Sequence, residues 1–198
     1  LKGLTLGFFP DLNGIEDDCV DPTVSVTYAK AIDKIQELGC TIEPVSWAGY
    51  EPSRVRSKAL LLIEADLANF HGRMLKASPN GFTSTFRRGI DFGMSQPAPK
   101  LAQGLRLIEE VRPVARRLFS TVDALVTPTT PVPAFSFKDE MPKTITTFTA
   151  FANYAGCPAL SIPMGSTEDG LPLGLQIITP KREDALALRI GKVISSSL

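Results

Sequence analysis

Three stretches decide how this chain folds. They are Val122–Pro131, V-D-A-L-V-T-P-T-T-P; Asn153–Gly165, N-Y-A-G-C-P-A-L-S-I-P-M-G; and Gly170–Gln176, G-L-P-L-G-L-Q. Each carries a short apolar run bounded by Pro- and Gly-rich turns, which is the pattern of a buried strand. Val122–Val126, Pro158–Ile162 and Leu173–Ile178 are therefore expected as adjacent strands of one sheet. Thr127-Pro128-Thr129-Thr130-Pro131-Val132-Pro133 leaves the first of them. Its frequent prolines make it extended and stiff rather than a flexible linker.

The rest of the chain extends this sheet. Leu4–Phe9 is an apolar run between Gly3 and Pro10, hence a strand. Asp21-Pro22 is a helix start, with Asp as the N-cap and Pro at the first helical position. Val24, Tyr28, Ala31, Ile32, Ile35 and Leu38 follow at helical spacing, and Gly39 supplies the stop. Thr41–Val45 is the next strand, which completes a βαβ unit. Its first turn, Phe9–Gly14, has no G-x-G-x-x-G and cannot cradle a pyrophosphate. An unrelated dinucleotide-type domain would rest on this unit alone. Glu16, Asp17 and Asp18 in the following loop read as solvated acids, since the alternation of a calcium loop is absent. Helices are expected over Glu51–Ala77, Phe82–Phe92, Lys100–Phe119, Thr144–Tyr154 and Glu183–Ile194. Pro113 either kinks the third of these or splits it at Arg112. The expected fold is α/β: a mixed, mostly parallel sheet flanked by helices, forming a single domain over residues 1–198.

Composition excludes several classes. The 198 residues carry 21 Lys+Arg and 21 Asp+Glu, a formal net charge of zero. Nucleic acid is not an expected partner, because phosphate binding needs a basic excess or stripe. There is likewise no polybasic patch for a membrane. The longest apolar run, Ala59–Ile63, is five residues, too short to span a bilayer. Cys19, Cys40 and Cys157 are odd in number and have no C-x-x-C spacing. Neither a disulfide framework nor a zinc site is expected, and a cytoplasmic location fits. No metal and no cofactor are called for.

Catalytic templates fail on the residues alone. His71 is the one histidine, and no G-x-S-x-G elbow presents a serine to it. At the end of a helix it reads as a structural or surface cation. There is no P-loop and no H-E-x-x-H. No spacing singles out a pair of carboxylates.

The three opening stretches do resemble a known family. Val122–Pro131 is similar to the D-x-L-x-T-P-T-x-P segment of the amidase signature family. Asn153, Gly156, Pro158, Ala159, Ser161, Pro163 and Gly165 match its N-x-x-G-x-P-A-x-S-x-P-x-G. Gly170, Leu171, Pro172, Gly174 and Gln176 match the G-L-P-x-G-x-Q that follows. The resemblance covers essentially the whole chain and is weaker between residues 51 and 110.

It implies the hydrolysis of a carboxamide by a Ser-Ser-Lys core. A lysine and a bridging serine relay a proton so that a second serine, in a Gly/Ser-rich stretch, attacks the amide carbon. No position here matches that stretch, and Ser195-Ser196-Ser197 has no flanking glycines. No catalytic residue is therefore assigned in this chain. Leu1 enters a core strand without a lead-in, so the chain is expected to be the C-terminal half of a larger amidase domain, inactive alone. Its expected role is to wall the cleft for a small-molecule amide. Strand-end loops make Thr127, Thr129, Thr130, Phe148 and Asn153 the candidate substrate-binding residues. Asp123 is expected to cap its strand and Gln176 to satisfy buried backbone groups. The alternative is a stand-alone degenerate domain that binds a small ligand or a partner protein. Either reading leaves apolar surface for a homo-oligomer.

Overall fold

The computed structural model describes residues 1–16 and 19–198. Asp17 and Asp18 of the acidic loop lie outside the described residues. Residues fall into two compact units, Leu1–Pro52 with Val111–Leu198, and Ser53–Glu110.

The first unit holds a five-stranded sheet. Its strands are β1 (Thr5–Phe8), β2 (Thr41–Pro44), β3 (Ala124–Pro128), β4 (Ala159–Ser166) and β5 (Pro172–Ile178), in the order β2-β1-β3-β5-β4. β1 pairs in parallel with both β2 and β3, and β5 runs antiparallel to β3 and β4. Four strands thus point one way and only β5 opposes them. The sheet is mixed and mostly parallel, as expected, and the three decisive stretches are neighbours in it.

Strand limits differ from the sequence reading for local reasons. β3 runs on to Pro128 because β1 stops pairing at Phe8 opposite Val126, so the missing proline N–H leaves no ladder bond unmade. β4 extends through Pro163 to Ser166 because it is an edge strand, where proline is tolerated. The register shifts between Pro163 and Gly165, a bulge that absorbs the extra residue.

Helices cover both faces. α1 (Pro22–Glu37) begins at Asp21, whose Oδ1 accepts the Thr23 N–H at 2.7 Å. It buries Val24, Tyr28, Ala31, Ile32 and Ile35. α1 shares a face with Phe8 and Ile42, and they line an open cleft of about 490 Å³. α7 (Asp184–Ser195) packs Gly191 against Leu160 and Ile162 of β4. α5 (Val111–Leu118) and α6 (Thr149–Ala155) also belong to this unit. Residues 144–148, expected as helix, are turns instead. Thr144, Ile145, Thr146 and Thr147 are β-branched and lose rotamer freedom in a helix. The Thr147 hydroxyl also donates to the Glu16 carboxylate at 2.9 Å. Phe9, Trp47, Tyr50 and Phe151 form an aromatic cluster, with Trp47 stacked on Phe9 at 4.0 Å and edge-on to Phe151 at 4.8 Å.

The second unit is helical: α2 (Pro52–Ala77), α3 (Ser84–Ser95) and α4 (Ala98–Glu109). The expected helix over Lys100–Phe119 is split at Glu110, between α4 and α5. Pro113 sits in the first turn of α5, where its missing N–H costs nothing. Gly93 of α3 lies so close to α2 that a Cβ would fall 2.3 Å from the Glu64 carbonyl oxygen.

Candidate functional site

Side chains alternate across a strand, so Thr127 and Thr129 of the β3 segment share one face with Ser161 of β4 and with Gly174 and Gln176 of β5. Register confirms the grouping: Thr127 and Ser161 both stand opposite Gln176. The face is unusual for a strand centre because it carries hydroxyls and an amide. The opposite face of the same strands is apolar and buried, with Ile162, Met164, Leu173, Leu175 and Ile177.

Two polar contacts organise it. Gln176, buried, donates from Nε2 to Thr127 Oγ1 at 3.1 Å and to the Phe148 carbonyl at 3.2 Å. This ties β3, β5 and the start of α6 together and fixes which way the amide points. Gln176 satisfies a buried backbone carbonyl, as the sequence reading anticipated. Towards the strand end, Thr129 Oγ1 and Ser161 Oγ lie 2.6 Å apart. Their bridge passes over Gly174, where a Cβ would meet those oxygens at 2.7 and 2.8 Å. The glycine is required by close approach.

The five candidates therefore divide. Thr129 and Thr130 are half-buried at the mouth, and Thr130 Oγ1 donates to the Val132 carbonyl at 2.9 Å. Thr127 and Phe148 are fully buried behind them. Asn153 is exposed on α6, and its Nδ2 donates to the Thr149 carbonyl at 3.2 Å. Ser161 was not among the candidates, yet it is exposed and paired with Thr129. Its place follows from the register of β4 against β5, which sets it opposite Gln176. Asp123 caps β1: its Oδ2 accepts the Thr5 N–H at 2.7 Å, and its own N–H donates to the Thr5 carbonyl at 2.8 Å.

The 490 Å³ cleft is elsewhere, between α1 and the ends of β1 and β2, and none of the five candidates lines it. Tyr28 closes it on the sheet side. Its hydroxyl accepts the Phe9 N–H at 3.2 Å and donates to the Val126 carbonyl at 2.9 Å. Burial pushes the Tyr28 phenol well above its ordinary pKa, against a smaller lowering by the Phe9 N–H. His71 lies in the helical unit, edge-on to Phe82 and Phe86 at 6.4 and 5.5 Å, and Nδ1 has no partner among the described residues. Among the described residues, no cluster of three His, Cys, Asp or Glu side chains could hold a metal ion. No described helix is long and apolar enough to cross a membrane.

A family model described as Amidase matches residues 1–188. This chain belongs to the amidase family. Amidase relatives align along its length. It is 38% identical to a Glutamyl-tRNA(Gln) amidotransferase subunit of Koribacter versatilis, with all of this chain and 46% of that protein aligned. It is 29% identical to an amidase of Pseudomonas putida over 88% of this chain and 39% of that protein. Among solved structures it superposes on a bacterial aryl acylamidase of the amidase signature family with a TM-score of 0.83, at 18% identity, over 99% of this chain and 44% of that one. The Thermotoga maritima Glutamyl-tRNA(Gln) amidotransferase subunit superposes with a TM-score of 0.63 at 21% identity, over 98% and 42%. The chain thus has the amidase signature fold but spans less than half the length of the amidases it matches.

Proposed function

We propose that this chain is the C-terminal, cleft-forming portion of an amidase that hydrolyses a small-molecule carboxamide to a carboxylate and ammonia or an amine. The observation that carries this reading is the one-sided sheet edge. Ala159, Ser161 and Pro163 of β4 are exposed on the hydroxyl-bearing face, while Ile162 and Met164 are buried on the other. Such a face, beside the Thr129–Ser161 bridge, suits the wall of a cleft whose other wall is a separate stretch of polypeptide.

In this reading Thr129, Thr130 and Ser161 offer hydroxyls to the amide or its leaving group. Thr127 and Phe148 act from behind, through Gln176, to hold that wall in place. Asn153 flanks the site from α6. The nucleophilic serine, the bridging serine and the lysine are supplied by sequence outside residues 1–198, and the chain alone does not turn over substrate. No metal or cofactor takes part, and the substrate rather than nucleic acid or a membrane is the partner.

Ammonia release from a panel of aliphatic and aromatic carboxamides tests this, comparing residues 1–198 with the protein encoded by the complete gene. Turnover by the complete protein and none by residues 1–198 is expected. Turnover by residues 1–198 alone would refute the assignment.

A further inference from the structure

The exposed face of α2 carries an apolar seam that none of the described residues covers. Leu60, Ile63, Leu67, Phe70 and Met74 recur at alternating steps of three and four, the a/d spacing of a coiled coil. Four of them are more than half exposed: Leu60 54%, Ile63 55%, Phe70 69% and Met74 58%. They point away from the hairpin that α2 makes with its neighbours. Gly93 of α3 packs at Glu64 and Ala65, and Gly104 of α4 packs at Lys58 and Leu62. A solvated helix face normally carries polar residues here. A 26-residue helix is about 39 Å long, so the seam runs over much of its length.

We propose that α2 pairs antiparallel with α2 of a second copy of this chain, about a two-fold axis near Ala68 and Asn69. Charge selects this occupant. An antiparallel seam stacks a positions on d positions, and setting Leu67 against Phe70 of the second copy also sets Ile63 against Met74. In that same register Asp66 of each copy faces Arg73 of the other, one pair on each side of the axis. Asp66 and Arg73 are both exposed, on the flank of α2 that neither α3 nor α4 covers. A self-complementary pattern of this kind closes as an isologous dimer rather than a filament. This inference is independent of the proposed chemistry, since no residue of the Thr129–Ser161 face enters it.

Sedimentation equilibrium on the protein encoded by the complete gene tests it, with far-UV circular dichroism to confirm folding. Wild type is expected to pass from monomer to dimer as concentration rises. Asp66→Arg and Arg73→Asp are each expected to raise the dissociation constant roughly tenfold or more, by turning two attractive pairs repulsive. The double variant should return it close to wild type. Leu67→Glu should abolish the dimer, and if that variant unfolds, the charge-reversal set decides alone. A wild-type monomer at every concentration overturns the proposal, as does a dimer indifferent to Leu67→Glu, or single reversals that the double variant fails to rescue. A monomer that floats with phosphatidylcholine vesicles also overturns it, by giving the seam to a lipid surface.

Discussion

Thr129 Oγ1 and Ser161 Oγ approach to 2.6 Å directly above Gly174, so two flanking strands are latched across the strand between them. Gly174→Ala would place a methyl group 2.7 Å from one oxygen and 2.8 Å from the other. The latch has to open or the strand has to move. A loss of about 1–3 kcal/mol is expected. Urea denaturation measures it, and Thr129→Ala in the same background should recover part of the loss by removing one of the two oxygens that the new methyl group meets.

Gln176 is the second tie. Replacing it with Leu keeps the volume but leaves Thr127 Oγ1 and the Phe148 carbonyl without their amide donor. Both groups belong to fully buried residues, so the cost should be about 1–3 kcal/mol. Thermal unfolding of Gln176→Leu checks this. A neutral effect would mean that the amide does not hold the wall.

Tyr28 gives a pH test. Its folded pKa lies above the ordinary phenol value of about 10. Raised folded pKa values favour the protonated form, so this contribution is complete below about pH 10 and is lost as pH rises past it. Tyr28→Phe leaves the Phe9 N–H and the Val126 carbonyl without the bridging hydroxyl and should cost about 1–3 kcal/mol at neutral pH. The gap between wild type and Tyr28→Phe should narrow from about pH 10 to pH 11. Unfolding midpoints across that range would show it.

Two glycines of the helical unit should respond in opposite directions. At Gly93 a Cβ collides with the Glu64 backbone, so Gly93→Ala should destabilise by about 1–3 kcal/mol. Gly72 of α2 has nothing within 4 Å of a Cβ, so Gly72→Ala should stabilise by up to about 1 kcal/mol. Thermal melts of the two variants report the contrast.

Much of the sheet was legible in the sequence because its strands are short apolar runs stopped by proline and glycine. Asp21-Pro22 and Gly39 marked the limits of α1 for the same reason, since caps and breakers act locally. What escaped was set by tertiary geometry. The extension of β4 through Pro163 depends on its being an edge, which a single strand does not announce. The turns at residues 144–148 depend partly on Glu16, more than a hundred residues away. Within the candidate site, Thr129 was visible from its proline-rich setting. Ser161 gained its place only when antiparallel pairing through β5 brought it across Gly174. The seam on α2 was present as spacing, but only exposure distinguishes it from an ordinary buried face.

The central claim is that the amidase nucleophile lies outside residues 1–198. The direct test treats the protein encoded by the complete gene with a fluorophosphonate, which labels activated serines, and maps the adduct by peptide mass spectrometry. The account predicts one labelled serine, in a peptide outside residues 1–198 and rich in glycine and serine. An adduct on Ser161, or on any other serine of this chain, would contradict it.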